Sequence, residues 1–153
     1  MRIEDIRQAR EFAETVIDRI WHAWWKDKGH LLEVIRANFE TLIRSNDPLP
    51  CCLVARTESL FLGMVLVIWD DLEERPALSP WIAALWVEPE YRQTGIATAL
   101  LTDAVARCRA EGVKQVFLHS YGTNRPFYEA RGFTLFEAGV PDPTMHILSR
   151  ALS

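Results

Sequence analysis

Residues 79–133, SPWIAALWVEPEYRQTGIATALLTDAVARCRAEGVKQVFLHSYGTNRPFYEARGF, decide how this chain is read. Trp81 to Val87 is a near-continuous apolar run ended by Pro89, the pattern of a central strand covered on both faces. From Ile96 to Ala110 the apolar positions Leu100, Leu101, Ala104, Val105 and Cys108 recur at helical spacing, and Gly112 suits the C-terminal cap. Val113 to Leu118 is the next strand. Strand, tight turn, helix and strand make one βαβ unit, whose crossover is right-handed and whose strands run parallel.

The turn inside that unit is Arg92-Gln93-Thr94-Gly95-Ile96-Ala97. A helix that begins near Gly95 or Ile96 starts with unpaired backbone N–H groups and a partial positive charge. Such a start can take a phosphate, and the small Gly95 and Ala97 let the backbone come close. Taken alone it is also what an ordinary strand-to-helix turn looks like, so the turn does not decide the matter by itself.

Toward the N-terminus, Ile3, Ile6, Phe12, Val16, Ile17, Ile20, Trp21, Trp24 and Trp25 recur at three- and four-residue steps, predicting one long amphipathic helix ending near Gly29. A second helix carries Leu31, Leu32, Val34, Ile35, Phe39, Leu42 and Ile43 on its buried face and stops at Asn46-Asp47-Pro48. The chain is thus expected to open directly into helix. Cys51 to Arg56 and Leu60 to Trp69 read as strands joined through Thr57-Glu58-Ser59, a hairpin. Asp70 to Pro80, with four acidic residues, reads as a solvated loop. Beyond the central unit, Asn124 to Arg131 is a short helix closed by Gly132, with strands at Phe133 to Glu137 and Thr144 to Leu148.

At 153 residues and 49% hydrophobic content the chain can bury one core, so residues 1–153 are expected to form a single α/β domain. A formal charge of -4 and a pI near 5.6 argue against a nucleic-acid partner, which calls for a clustered basic surface. The opening MRIEDIRQAREFAE is charged from its second residue and lacks the apolar run of a signal peptide, and Leu60 to Trp69 is too short to span a bilayer; no membrane partner is expected. Cys51, Cys52 and Cys108 have neither paired nor CxxC spacing, fitting small apolar side chains in a reducing cytoplasm. His22, His30, His119 and His146 lie far apart without metal-ligand spacing, so no metal is expected.

Read whole, LWVEPEYRQTGIATALL (residues 85–101) resembles the acyl-CoA signature of the GNAT superfamily of acetyltransferases, Arg/Gln-x-x-Gly-x-Gly/Ala after a strand; Arg92, Gly95 and Ala97 fill its positions. Phe127-Tyr128-Glu129-Ala130-Arg131-Gly132-Phe133 is similar to a second element of that family. Two motifs in the right order point the same way. The resemblance implies a single-domain GNAT fold: a mixed, mostly antiparallel sheet whose central parallel βαβ pair is splayed to admit CoA, with helices on both faces. Two departures stand out. The asparagine that many members place seven residues before the tyrosine is Tyr121 here, with Asn124 only four before it, and the customary first strand has no counterpart in the reading above.

The resemblance further implies acetyl-CoA as cosubstrate and a primary amine, of a small molecule, amino acid or protein N-terminus, as acceptor. The backbone around Leu85, Trp86 and Val87 would hold the pantetheine arm. The N–H groups of Gln93, Thr94, Gly95, Ile96, Ala97 and Thr98 would cradle the pyrophosphate, with Arg92 and Asn124 as further contacts. A main-chain N–H near Trp86 or Val87 would stabilise the oxyanion, and Tyr128 would protonate the departing thiolate. Trp81 stands where one branch has its carboxylate base, and His119 and Glu88 both stay open as bases. Trp24, Trp25 and His30, and the acidic Asp70, Asp71, Glu73 and Glu74, could wall or attract a cationic acceptor, although core packing accounts for most of the six tryptophans. A homodimer and a silent acyl-CoA-binding module are left open.

Overall fold

A computed structural model describes residues 1–153 as one mixed sheet flanked by helices. The strands are β1 (Arg2–Asp5), β2 (Cys51–Arg56), β3 (Phe61–Ile68), β4 (Trp81–Val87), β5 (Gln115–Tyr121), β6 (Thr134–Ala138) and β7 (Met145–Ala151). Their order in the sheet is β1-β2-β3-β4-β5-β7-β6, antiparallel throughout except for the β4–β5 pair. The helices are α1 (Ala13–Ile20), α2 (Leu32–Arg44), α3 (Ile96–Ala110) and α4 (Arg125–Glu129). Alternation along β2 sorts the two layers: Cys51, Leu53 and Ala55 pack with α3, and Cys52 and Val54 pack with α1 and α2.

The N-terminal segment corrects the expectation of a single long helix. Arg2–Asp5 is a strand paired with β2, with Arg2 opposite Arg56 and Asp5 opposite Leu53. Asp5 then accepts from the Arg7 backbone N–H at 2.9 Å and turns the chain, and Arg7 and Arg107 both ion-pair with it. Three charges in four residues hid this strand, because its stability comes from partners 50 to 100 residues away. α1 is short and runs into a π-helical turn, Trp21–Trp25.

The Asp70–Pro80 segment also differs from a purely solvated loop. Leu72 is buried against Trp81, Phe117, Val140 and Ile147, and Arg75 ion-pairs with Glu137 on β6. All three cysteines are buried and unpaired, and burial pushes the Cys51 and Cys108 thiols up to about 11, so they are inert apolar filling. Of the tryptophans only Trp81 is fully buried, while Trp69 is exposed and the others are half-buried. Core packing still accounts for four of the six: Trp81 sits inside a core cluster, and Trp24, Trp25 and Trp86 pack against the core beneath α1 and α2.

Candidate functional site

β4 and β5 are in register only at Trp81 and Phe117, with one further bond from the Phe117 N–H to the Pro80 carbonyl at 3.0 Å. Beyond that point the strands part. β4 bulges against β3, where Met64 faces Trp86 and Leu66 faces Ala83, and the extra residue places Ala84 at φ 52. The middle of β4 is consequently half-buried, not covered on both faces as its apolar run suggested. The Glu88 N–H goes to the Leu62 carbonyl on β3 at 2.9 Å, so by alternation the preceding Val87 N–H points to the opposite, open edge. That makes Val87, not Trp86, the oxyanion donor candidate of the two.

The gap between the strands is part of a cleft of about 540 Å³. Leu85, Trp86 and Val87 line one wall; Arg92, Gln93, Gly95, Ile96, Ala97 and Thr98 form its floor; Asn124 and Tyr128 come from the α4 side. Thr94 is the exception: its hydroxyl turns back to the Tyr91 carbonyl. The structure adds Tyr91, Phe127 and Arg131, which sequence reasoning passed over as motif filler. No acidic side chain lines this cleft.

The floor is built for an anion. Gly95 caps α3 at φ 88 without a side-chain hydrogen bond, and the first turn holds no acidic residue. No N–H from Gln93 to Thr98 makes a hydrogen bond within the protein; the first that does is Ala99, to the Gly95 carbonyl at 3.0 Å. Gln93 at φ 63 and Gly95 turn the backbone so that these groups converge. A Cβ on Gly95 would meet nothing within 4 Å, so the space in front of it is open.

Tyr128 packs edge-on to Phe127 and Phe133, with ring centres 5.1 and 6.1 Å away. Burial raises its pKa above the ordinary phenol value, so the phenol stays protonated at neutral pH. Asn124, on the same side of the cleft, donates to the Ser120 hydroxyl at 3.2 Å.

The two open base candidates separate clearly. Glu88 accepts from Arg19 through Nε and Nη2 and from Trp86 Nε1 at 2.8 Å, and these bonds hold its carboxyl below the usual range. It is a structural anion. His119 lies on the sheet face opposite α3, its Nε2 2.8 Å from Asp71 and its ring edge-on to Trp81, while its Nδ1 has no partner. Trp24 of the π-helical turn stands edge-on to Trp86 at 6.2 Å, and Trp25 edge-on to His30 at 4.8 Å. Asp70, Glu73 and Glu74 form no side-chain ion pair.

A family model described as "Acetyltransferase (GNAT) family" matches residues 10–133, which include both walls and the floor of this cleft. The chain belongs to the GNAT acetyltransferase family. Solved structures agree in fold. An aminoglycoside 6'-N-acetyltransferase complexed with coenzyme A superposes with a TM-score of 0.75 at 14% identity, over 99% of this chain and 97% of that one. The PaiA N-acetyltransferase of Thermoplasma acidophilum, also with coenzyme A, gives 0.64 at 21% identity over 99% of both chains. Ard1 from Thermoplasma volcanium gives 0.71 at 15% identity, over 99% of this chain and 97% of that one. Among curated proteins, no sequence matches. No helix of this GNAT protein is long and apolar enough to cross a membrane, and no group of three metal-ligating side chains is present.

Proposed function

We propose that this GNAT protein is an acetyl-CoA-dependent N-acetyltransferase that acts on a primary amine of a small molecule, an amino acid or a protein N-terminus. The observation that carries the proposal is convergence: the open edge of β4, the unpaired N–H groups of the α3 floor and Tyr128 all line one cleft. The residues present fit the cosubstrate, since unpaired N–H groups and free arginines suit its phosphates and the bare β4 edge suits an amide-bearing arm. When bound it supplies an activated acetyl thioester.

The chain's own groups then have distinct tasks. The Val87 N–H offers a donor to developing negative charge. Tyr128, kept neutral by burial, offers a proton to a departing sulfur. His119, held through Nε2 by Asp71 and with its Nδ1 buried, does not line the cleft. The likeness to an aminoglycoside 6'-N-acetyltransferase supports an amine as acceptor.

An amine-panel assay that detects free CoA tests this, run beside acetyl-CoA titration. Turnover of one or more amines is expected. Tight acetyl-CoA binding with no turnover on any amine would favour the silent binding module instead.

A further inference from the structure

We infer that Arg131 is a second phosphate-binding residue, forming with Arg92 a two-arginine clamp across the floor of the cleft. Nine of the fourteen arginines of this acidic chain pair with carboxylates, and of the five that pair with none, Arg92 and Arg131 line the cleft. Both nevertheless are fixed, and in the same manner. Arg92 donates Nε to the Val87 carbonyl at 2.8 Å and lies over the Trp86 ring, 4.7 Å from its centre. Arg131 donates Nε to the Thr98 hydroxyl at 2.8 Å and Nη1 to the Phe127 carbonyl at 2.7 Å, and lies over the Phe127 ring at 3.8 Å.

Each guanidinium is thus held by its Nε and by an aromatic face, an arrangement that leaves Nη2 of Arg131 and both Nη groups of Arg92 without protein acceptors. Fixed, planar and unpaired cations are suited to a bidentate oxyanion. The cleft they line holds no carboxylate, so a chain of net charge -4 has gathered two unpaired positive charges in one place. Glu88, on the Arg92 side, acts on Arg92 through space, but its oxygens are occupied by Arg19 and Trp86 and make no hydrogen bond with Arg92 or Arg131. Thr98, the anchor of Arg131, also carries one of the unpaired N–H groups, which puts the second arginine beside the α3 floor. The ligand chemistry is a phosphate oxygen of the cosubstrate, belonging to its diphosphate or to its ribose 3′-phosphate.

This inference rests on the acyl-CoA-binding part of the function proposed above, and calorimetric titration without acceptor separates the two. The full chain and Arg131→Gln, which keeps a donor for Thr98 but removes the charge, are titrated with acetyl-CoA and with acetyl-dephospho-CoA. A loss of affinity of about 10- to 100-fold is expected in the variant, the usual worth of a charge-assisted phosphate contact. Equal losses for both ligands place Arg131 on the diphosphate; a loss confined to acetyl-CoA places it on the 3′-phosphate. Unchanged affinity for both overturns the clamp, whereas a wild-type chain that binds neither ligand overturns the functional proposal itself. If the glutamine variant melts early, Phe127→Leu, which removes the platform and keeps the charge, is expected to weaken the same ligands several-fold, and unchanged affinity there overturns the clamp as well.

Discussion

The Arg19 guanidinium closes on the Glu88 carboxylate with hydrogen bonds of 2.7 to 3.1 Å, tying α1 to the residue that follows β4. Trp86 adds its indole N–H to the same carboxylate and is itself sandwiched between Trp24 and Arg92. One ion pair therefore holds the wall of the cleft that carries Trp86. Replacing Arg19 with Gln strands a largely buried anion and should cost roughly 2 kcal/mol in urea unfolding.

The same pair sets a pH response. Glu88 titrates below its ordinary 4.5, chiefly because Arg19 hydrogen-bonds it. The unfolded chain then binds the proton more readily than the native one, so this stabilisation is complete above the ordinary value and is lost as pH falls through the lowered one. Chemical unfolding between pH 3 and 6 should show a shallower acid decline in Glu88→Gln than in the wild type. Parallel declines would exclude Glu88 as a contributor.

Tyr128→Phe keeps the ring packing on Phe127 and Phe133 and removes only the hydroxyl. Turnover should fall on the order of 100-fold with acetyl-CoA affinity preserved. Because burial raises the phenol pKa, the acid stays protonated through the neutral range, and kcat in the wild type should show no descending limb from this group near neutral pH. A phenylalanine variant that matches wild type across the profile removes Tyr128 from the chemistry.

Gly95 sits at φ 88 with open space before it, so two effects can be told apart there. Gly95→Ala should cost about 1 kcal/mol by left-handed strain alone, read as a lowered melting temperature. Gly95→Glu adds a carboxylate directly in front of the unpaired N–H groups and should abolish CoA binding. Retained affinity in the glutamate variant would show that the floor does not face the phosphates.

Gly63, on β3, tests the other wall. A Cβ there would lie 2.5 Å from the Trp86 carbonyl oxygen and 3.3 Å from the Val87 Cα, both backbone atoms of β4. Gly63→Ala should destabilise by about 3 kcal/mol through displacement of β4, and the surviving folded protein should bind CoA more weakly. A variant of wild-type stability and affinity would mean that β4 can shift without cost to the cleft.

Much of this fold was readable along the chain. The apolar run Trp81–Val87, the helical spacing after Gly95 and the tyrosine motif at Phe127–Phe133 are local patterns, and local patterns survive without knowledge of partners. They marked the central βαβ unit, the family and most of the side chains that line the cleft, as the Thr57-Glu58-Ser59 turn marked the hairpin of β2 and β3. Arg2–Asp5 did not announce itself, since its strand exists only by pairing with β2 and by the Arg7 and Arg107 contacts of Asp5. Arg131 stayed hidden for a related reason: nothing in its neighbours tells that Thr98, 33 residues earlier, will hold its guanidinium.

The sequence by itself thus determined which segments could be strand or helix and where an anion would be received, because backbone periodicity and a bare helix start are properties of consecutive residues. Tertiary structure alone decided which charges are free. Glu88 and His119 looked equivalent as bases, and Arg131 looked like any other surface arginine. The separation came from distant partners: Arg19 neutralises Glu88, Asp71 orients His119, and two aromatic rings immobilise arginines that ion-pair with no carboxylate. A charge is made available or silent by what packs against it, and packing is set by the fold.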